Sequence, residues 1–493
     1  MKFSDEHLML KEVVRKRMEA EDVKEMIKKY ERHDAPFAWE FVQAMAELGL
    51  CGINIPEEYG GAGMDNLSGV IAMMEMSRIW SGGALILGVG NSLVSYPLLK
   101  FGAPHHKAKW LPDLAKGKIL GSFCLTEPNH GSDAAQIDTY ATLAEHGWAI
   151  SGEKCFITNA PIASFLVVFC RTNRALKDHR GISAVLIPSD ISGVIPSKPD
   201  NKEGLHAAHM GSIAFADAIA PFDSLLGEYG RGFKIAMSTL EHGRNWIAAQ
   251  AIGGLLRAGE LAEKHATNRA AFGSSIIEHS SIYDILTDIA FAADVSKILL
   301  FYSAWLEDQG KNFGPYASLA KLFASESLKY LKGKAQDIHG GSGYSLAEEI
   351  TRVVMDGDVF PIYEGTSNVQ RGIILKAWLG DKLQVYPKHP YTYFFSNLKD
   401  EARELGGSEA LYQKNQRRIF EIADILPLVA AWHLFDSVFS KNWPKEFMNF
   451  KDTAVFADLL LDEIRRRWPE KEKSPNGSIR EAAREHLRKA VLT

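Results

Sequence analysis

The 493-residue chain is poor in the features that mark several specialised protein classes. It has only four cysteines, Cys51, Cys124, Cys155 and Cys170, and none forms a CxxC pair or a metal-type spacing. This usage argues against a disulfide framework and is typical of ordinary thiols in a reducing compartment. The net charge is only −5, so no general attraction to nucleic acid or to acidic membranes is expected.

The sequence shows no pattern that predicts an export signal or a membrane anchor. Residues 1–34 are highly charged and helical in pattern, without the apolar core of a signal peptide. No stretch approaches 18 uncharged apolar residues, so no membrane-spanning helix is expected. We therefore expect a cytoplasmic protein, or one of an organelle matrix if a transit peptide has been removed.

The composition that remains is that of a globular protein: 46% of the residues are hydrophobic and 24% are charged. Its length predicts two to four domains or subdomains. The hydrophobic pattern is helical at first, changes to short β-rich runs near Ile119, and becomes helical again after about residue 225. Segregated runs of this kind predict an α+β chain. The expected parts are an N-terminal helical domain (1–112), a central β domain (113–225), a helical bundle (226–380) and a helical C-terminal extension (381–493).

The extension begins with DKLQVYPKHPYTYFF, which suggests a linker or strap, and continues with helical patterns. It contains 19 Lys and Arg residues and 17 Asp and Glu residues, so its net charge is +2. That is weak evidence for DNA binding, which calls for a strongly basic patch. The basic triplet at 465–467 is more typical of a solvated helix end. We expect a helical pack that covers the bundle or remakes an oligomer interface.

Four short stretches carry the candidate chemistry: FCLTEPNHGSD (123–133), GEKCFITN (152–159), NRAAFG (268–273), and DIHGGSGY (337–344) leading to IYEGTSN (362–368). The first two are predicted strand ends with hydroxyls, backbone amides and an aromatic ring, which suit a flat ring ligand with polar edges. Arg269 suits a phosphate, and the GGSG run suits positive φ or a close backbone approach. Each stretch alone is a weak signal.

Glu364 follows the apolar run Val359, Phe360, Pro361 and Ile362. An isolated glutamate in a loop is usually solvated. A buried carboxylate is costly unless it is paired or has a function. The residue alone leaves both interpretations open.

Together and in this order, the four stretches resemble the acyl-CoA dehydrogenase family of flavoproteins, over about residues 5–380. The resemblance implies an N-terminal helical domain, a central β domain and a four-helix bundle, with FAD between the β domain and the bundle. It implies a homodimer or homotetramer, because residues of one protomer hold the FAD of its neighbour. It also implies acyl-CoA as substrate and an electron-transfer flavoprotein as partner.

The resemblance assigns the cofactor site residue by residue. At the flavin ring it places Phe123, Leu125, Thr126, Gly131 and Ser132, with Phe156 and Thr158 on the other side of the ring. At the pyrophosphate and adenosine of the neighbouring protomer's FAD it places Arg269, Phe272, Asp337, Gly340 and Gly341. Thr366 and Asn368 complete the site.

Glu364 then matches the family's catalytic base, which removes the α proton of a thioester while a hydride passes from the β carbon to flavin N5. So weak a carbon acid requires a nearby base in a dry site and donors to the thioester carbonyl. Apolar surroundings raise the pKa of a carboxylate and remove its water shell. The Glu364 backbone N–H would donate to the carbonyl, and Gly365 would let the substrate approach.

Some members place the base on a bundle helix, directly before an arginine. The matching stretch here is LEHGRNW (240–246), where Gly243 precedes Arg244. Glu241 lies two residues earlier, about 200° around the helix, and would point elsewhere, toward the CoA moiety. Glu364 is therefore the predicted base and Glu241 the alternative. Arg244 is expected to position the site, with a helix-surface arginine as the other interpretation. Ser132, Glu241, Arg244 and Gly365 are the expected substrate contacts.

The sequence departs from the family pattern at several places. Phe156 stands where many members have Trp, Asp337 where many have Gln, and Ser280 where Gln is frequent. HAAHMGS (206–212) replaces a common Ser/Asp-Thr-Arg pattern. Several motifs look most like the glutaryl-CoA branch, but the stretch 81–93 has no arginine to clamp a second carboxylate. We therefore expect a neutral acyl group and no decarboxylation.

The resemblance thus predicts an FAD-dependent acyl-CoA dehydrogenase of fatty-acid metabolism, in the manner of β-oxidation, with no metal. Long C-terminal extensions occur in very-long-chain members, where they are linked to membrane association, and in a DNA-binding alkylation-response branch. The alternatives are an acyl-CoA oxidase, a nucleic-acid-binding flavoprotein of that branch, and a binding protein with a dead site. The intact Glu364 argues against the last of these.

Overall fold

The computed structural model describes residues 1–383, 392–406, 409–439, 445–450 and 453–467. Most of the expected linker (381–395) and the chain beyond residue 467 lie outside the described residues. The chain forms two compact units. We call residues 12–246 the sheet unit, and residues 1–11 with 247 onward the bundle unit. Helices α1 (Asp5–Met18) and α7 (Gly232–Asn268) contribute residues to both.

The sheet unit begins with a group of helices whose central member, α4 (Asn66–Gly88), is apolar and buried. These helices are α2 (Glu21–Tyr30), α3 (Trp39–Ala46), α4 (Asn66–Gly88), α5 (Tyr96–Phe101) and α6 (Pro104–Ala115). Helix α4 is apolar on all sides and almost entirely buried, as expected of a central core helix. Asp65 caps it by accepting a hydrogen bond from the backbone N–H of Ser68 at 2.8 Å. The helix breaks at Trp80 (φ −148°, ψ 88°), where the stretch 81–93 begins.

The second layer of this unit is an eight-stranded mixed sheet in the order β6-β7-β3-β2-β4-β5-β8, with β1 paired in parallel to β4. Its strands are β1 (Gly121–Cys124), β2 (Tyr140–Ala144), β3 (Gly147–Thr158), β4 (Phe165–Arg171), β5 (Ile182–Pro188), β6 (Val194–Pro196), β7 (Met210–Ala220) and β8 (Leu225–Leu226). The order of helices followed by strands agrees with the sequence prediction. The four cysteines are free and buried. Burial raises the pKa of Cys51, Cys124 and Cys170 to about 12, as expected of unreactive thiols.

The described part of the bundle unit is helical apart from one short hairpin. Its elements after α7 are β9 (Ala270–Ala271), β10 (Ser274–Ser275), α8 (Ser280–Asp308), α9 (Gly314–Ile338), α10 (Glu349–Asp356), α11 (Ser367–Leu379), α12 (Thr392–Gly406), α13 (Glu409–Leu434) and α14 (Thr453–Arg467). Helices α12–α14 belong to the extension, and α13 packs against α8, α9 and α11. The predicted helical cover over the bundle is therefore present.

A buried carboxylate fastens the extension to the bundle. Asp294 of α8 has no exposed surface and accepts hydrogen bonds from the backbone N–H groups of Asn449 (2.9 Å) and Phe450 (2.8 Å). The Lys297 ammonium lies 3.2 Å from the same carboxylate. Segment 445–450 is thus fixed to α8 by two charge-assisted hydrogen bonds.

Two helical stretches are long and apolar enough to cross a membrane by composition alone, Asn66–Phe101 and Gln413–Phe439. In the most apolar windows of these stretches, 83% and 71% of the residues are buried inside the protein. Core helices of folded domains have the same properties, so these two stretches are weak evidence for a membrane span.

The stretch HAAHMGS (206–212), which departs from the family pattern, supplies one partner of a buried ion pair in the sheet unit. Glu31, just after α2, accepts hydrogen bonds from Trp80 Nε1 (2.6 Å) and from the backbone N–H of His206 (3.0 Å). The Nδ1 atom of His206 lies 3.3 Å from the same carboxylate, and the His33 ring packs edge-on against the His206 ring. The hydrogen bond to Glu31 raises the pKa of His206 above its usual 6.5.

This pair predicts a pH-dependent stability. A histidine whose folded-state pKa is raised stabilises the protein fully below pH 6.5, and this contribution disappears as the pH rises through the raised pKa. The free energy of unfolding of the wild type, measured by urea titration, should therefore decrease as the pH is raised from 6 to 8.5. His206→Gln should remove that part of the slope. His146→Gln, at an exposed turn, is the control, and an equal change in both variants would contradict the assignment.

A second prediction concerns the fastening of the extension. Asp294→Asn leaves the Lys297 charge without its buried partner and one backbone N–H without an acceptor, so we expect a loss of about 3 kcal/mol in the free energy of unfolding. Limited proteolysis should also cut near residues 445–450 sooner than in the wild type. The matched control is Asp308→Asn, the same substitution at the half-buried end of α8. Equal stability of the two variants would argue against the role of Asp294.

Candidate active site

The loop after β1 is pinned to β3 by a buried lysine. Lys154 has no exposed surface, and its ammonium donates to the Leu125 carbonyl at 2.9 Å and to the Glu127 carboxylate at 2.7 Å. Glu127 also accepts from the backbone N–H groups of Asp138 (2.6 Å) and Thr139 (2.9 Å). Desolvation opposes ionisation of Glu127, but the Lys154 charge and these donors hold its pKa below the usual value. The loop therefore has a fixed backbone.

The predicted flavin residues of this loop differ in exposure. The side chains of Phe123 and Leu125 are buried. Only the backbone groups of these two residues could therefore contact a ligand. Thr126 is half-buried, and its carbonyl accepts the Cys155 N–H at 3.0 Å. Gly131 and Ser132 are exposed. The loop thus presents polar backbone and small side chains beside the segment that begins at Cys155.

Phe156 lies at a bulge of β3, where the pairing with β7 shifts register. Its φ is 57°, a rare value for a bulky residue, and 67% of its surface is exposed. Thr158 is half-buried, and its carbonyl accepts a hydrogen bond from Ser122 Oγ at 2.9 Å. Bulges and strained backbone often occur at functional sites. The bulge turns a flat apolar ring outward, beside the polar loop, which fits a planar ligand such as a flavin.

A second group of predicted residues lies on the bundle unit. Arg269 is exposed next to the β9–β10 hairpin, and Phe272 at its turn has φ 54° and 98% exposure. Asp337 is exposed at the end of α9. Gly340 has φ 57°, as the sequence predicts. At Gly341 an added Cβ would meet no described atom within 4 Å, so packing within the described chain does not require that glycine.

The predicted base lies in the tight turn between α10 and α11. Glu364 has φ 54° and Gly365 has φ 95°, so two consecutive residues are left-handed. Glu364 is half-buried, and its Oε2 atom is buried. The hydroxyl of Tyr363 donates to Gln250 Oε1 of α7 at 2.8 Å, and desolvation raises the pKa of Tyr363 well above 10. Glu364 is therefore not a fully exposed loop carboxylate.

The residues after the base begin α11. Thr366 is its N-cap and accepts a hydrogen bond from the Val369 N–H at 3.4 Å. Asn368 is exposed, and its side-chain carbonyl accepts from Arg371 at 2.9 Å. Asn368, one of the predicted cofactor contacts, is thus held by a neighbour on its own helix.

The alternative base and the predicted positioning arginine lie on α7, within the sheet unit. Glu241 is exposed, whereas only 5% of Arg244 is exposed. The interpretation of Arg244 as a helix-surface arginine is therefore wrong.

One group of side chains among the described residues has metal-ligand geometry: Glu127, His130 and Asp138 offer ligand atoms within 4.8 Å of one another. The Lys154 ammonium already neutralises Glu127, and the Glu127 oxygens already accept three hydrogen bonds from the loop and the lysine. We therefore assign no metal to this group.

Three family models match the chain. They are described as acyl-CoA dehydrogenase, N-terminal domain (residues 4–118), middle domain (residues 122–218) and C-terminal domain (residues 230–379). The matches leave the extension outside, as the resemblance in sequence does.

Individual proteins are similar over much of the chain. The bovine (Bos taurus) mitochondrial short-chain specific acyl-CoA dehydrogenase is 42% identical over 68% of this chain and 82% of its own. Subunit CarC of the caffeyl-CoA reductase–Etf complex of Acetobacterium woodii is 36% identical over 76% of this chain and 98% of its own. The crystal structure of an acyl-CoA dehydrogenase complexed with FAD from Bacillus anthracis has a TM-score of 0.84 and 25% identity, and covers 99% of this chain and 95% of its own. This last similarity includes the extension.

The pinned loop generates a prediction. Lys154→Met leaves the Glu127 charge buried without its partner, so we expect a loss of about 3–5 kcal/mol in the free energy of unfolding. Adding Glu127→Gln should restore part of the loss, because the double variant has no uncompensated charge. Urea titrations of the two single variants and the double variant give the coupling energy. Simple additivity of the two substitutions would show that the pair does not act as a unit.

Proposed function

Since this chain belongs to the acyl-CoA dehydrogenase family, we propose that it is an FAD-dependent oxidoreductase that converts a short, neutral acyl-CoA thioester to the 2-enoyl-CoA. The observation that carries this proposal is the geometry of Glu364. A carboxylate with a buried oxygen lies on a left-handed turn between two helices, at the position that matches the family's base. Such a turn fixes where the carboxylate points, which is the main requirement of a general base.

FAD is the cofactor of this family, and the sheet unit fits a flavin ring. We assign the ring to the polar loop from Thr126 to Ser132 and to the exposed bulge at Phe156 and Thr158. The loop offers backbone groups to the ring edge, while Phe156 offers an apolar face. When bound, FAD supplies the two-electron acceptor for the hydride that leaves the β carbon.

The chain's own residues carry out the proton transfer. We assign the α proton of the substrate to the Glu364 carboxylate. The backbone N–H of Glu364 would donate to the thioester carbonyl, where negative charge develops as the proton leaves. Gly365, the proposed substrate contact beside the base, supplies with its φ of 95° the left-handed backbone that the turn requires. Arg244, buried in α7, is proposed to position the site.

The proposed substrate is neutral because of the stretch that follows the break in α4. Residues 81–92 are buried and consist of small and apolar residues with one asparagine. A second carboxylate on the acyl chain would meet no arginine or lysine from residues 81–93. An uncompensated buried charge is costly, so a dicarboxylic substrate would be rejected.

We propose a homodimer as the smallest working unit. Phe272, Tyr344 and Leu346 of the bundle unit are 98%, 91% and 80% exposed, which is unusual for large apolar side chains. Together with Arg269, Asp337, Gly340 and Gly341, they would hold the pyrophosphate and adenosine of the FAD of a second copy of this chain. Thr366 and Asn368 would complete the cofactor site.

An electron-transfer flavoprotein is the proposed acceptor, as the name of the Etf-complex relative suggests. The pathway we propose is fatty-acid β-oxidation, in a bacterial cytoplasm or an organelle matrix. Slow reoxidation of the reduced protein in air would support a dehydrogenase. Fast reoxidation would instead indicate an oxidase.

The deciding experiment is an anaerobic titration of the purified flavoprotein with neutral acyl-CoAs of increasing length, following flavin absorbance. We expect one short acyl-CoA to bleach the wild type. Glu364→Gln should slow the bleaching about 100- to 10,000-fold, which is the usual contribution of general-base catalysis. Glu348→Gln, an exposed glutamate of the same unit, is the matched control.

Glu241→Gln tests the alternative base in the same titration. If Glu241→Gln stops flavin reduction and Glu364→Gln does not, the assignment of the base is wrong. If no acyl-CoA reduces the wild-type flavin, the proposed reaction itself is wrong.

A further inference from the structure

Two buried side chains converge on one carbonyl of the Glu364 turn. Lys321 of α9 and Gln370 of α11 have no exposed surface. Lys321 Nζ donates to the Gly365 carbonyl at 2.9 Å, and Gln370 Nε2 donates to the same oxygen at 3.0 Å. Gln370 Nε2 also lies 3.3 Å from the Glu364 carbonyl. Donors from two different helices therefore fix the peptide that follows the base.

This turn needs external support because its backbone is strained. A non-glycine residue in the left-handed region costs about 1–3 kcal/mol, and Glu364 is such a residue. Gly365 cannot be replaced without strain, since its φ is 95° and an added Cβ would lie 2.6 Å from Gln370 Nε2. The turn persists only where the surroundings hold it, and the two donors to Gly365 are part of those surroundings.

A buried lysine at a purely structural position carries a large desolvation penalty. Removing an ammonium from water costs several kcal/mol, and an apolar side chain of similar volume is often as stabilising. A carbonyl of a turn normally reaches water or a backbone N–H. The buried ammonium on the Gly365 carbonyl supplies something that packing alone does not, namely a directional anchor beside the base.

We propose that Lys321 and Gln370 are positioning residues for proton abstraction, holding the Glu364–Gly365 turn so that the carboxylate keeps its reactive orientation. This inference rests on the proposed function, in which Glu364 is the base. Neither residue touches the reacting atoms in this scheme; both act through the turn. Loss of the anchor should therefore lower the rate of flavin reduction and leave acyl-CoA binding largely intact.

The test compares Lys321→Met and Gln370→Leu with the wild type. Displacing a reacting group by about 1 Å can cost about 100-fold in rate. We expect Lys321→Met to slow flavin reduction at saturating acyl-CoA by about that factor with little change in KM. Gln370→Leu removes one of two donors to the same oxygen, so its effect should be smaller. The double variant should lose more than either single variant.

The matched control is Lys297→Met, which removes another buried lysine of the bundle unit, one that pairs with Asp294 rather than with the turn. It should lower stability without the selective loss of rate. An equal loss of rate in Lys297→Met and Lys321→Met would overturn the proposal, because the effect would then be one of general destabilisation. An unchanged rate in both Lys321→Met and Gln370→Leu would overturn it as well.

A second measurement does not depend on turnover. Amide hydrogen exchange of the full-length protein without acyl-CoA should be faster at the turn in Lys321→Met, at the N–H groups of Tyr363 and Ser367, which bond to Val359 and Pro361. Lys297→Met should leave this segment protected. If no acyl-CoA reduces the wild type, the proposed function fails on that result. Unchanged protection in Lys321→Met would separately overturn the anchoring of the turn.

Discussion

Buried lysines hold backbone carbonyls in two of the segments that contain the predicted binding residues. In the sheet unit, Lys154 fastens the loop after β1 through the Leu125 carbonyl and Glu127. In the bundle unit, Lys321 fastens the turn after Glu364 through the Gly365 carbonyl. An ammonium provides three donors on a long stem, so it reaches a distant carbonyl and leaves the loop's outer face available. Burying the ammonium costs desolvation free energy. In return, the lysine fixes a loop conformation that the loop's own residues would not adopt by propensity.

Left-handed backbone occurs at three non-glycine residues of the predicted site, as well as at Leu205 and Asp217 outside the predicted stretches. Phe156, Phe272 and Glu364 each have φ between 54° and 57°. Each lies in one of the stretches predicted to contact cofactor or substrate, and the two phenylalanines are largely exposed. A left-handed bulky residue and an exposed aromatic ring both lower stability, and neither improves the packing of its own unit. Two of the three, Phe156 and Glu364, lie beside segments that Lys154 and Lys321 hold, so strained backbone and a buried anchor occur together there.

The sequence predicts much of this because the determining signals are local. The change from helical to alternating hydrophobicity locates the sheet, and the resemblance of the four stretches to the acyl-CoA dehydrogenase family identifies Glu364 as the predicted base. The anchors were not predicted, because Lys154 and Lys321 look like ordinary surface lysines when the partner carbonyl is 29 or 44 residues away. The only available signal is their position among apolar neighbours, such as Leu319, Leu322 and Phe323 around Lys321. The contact between Glu31 and His206 is non-local in the same way, since 175 positions of sequence separate the two residues.

The extension contacts helix α11, which begins just after the predicted base. Arg371 donates to Asp424 of α13 at 2.7 Å and, through its guanidinium, to Asn368 at 2.9 Å. Asn368 and Gln370 lie in the first turns of α11, and Gln370 anchors the Gly365 carbonyl. Arg371 therefore joins the extension to the helix that begins just after Glu364, through one hydrogen-bonded ion pair with Asp424. The extension thus contacts the helix that carries Gln370, one of the two donors to the Gly365 carbonyl, so it supports the turn that contains the predicted base.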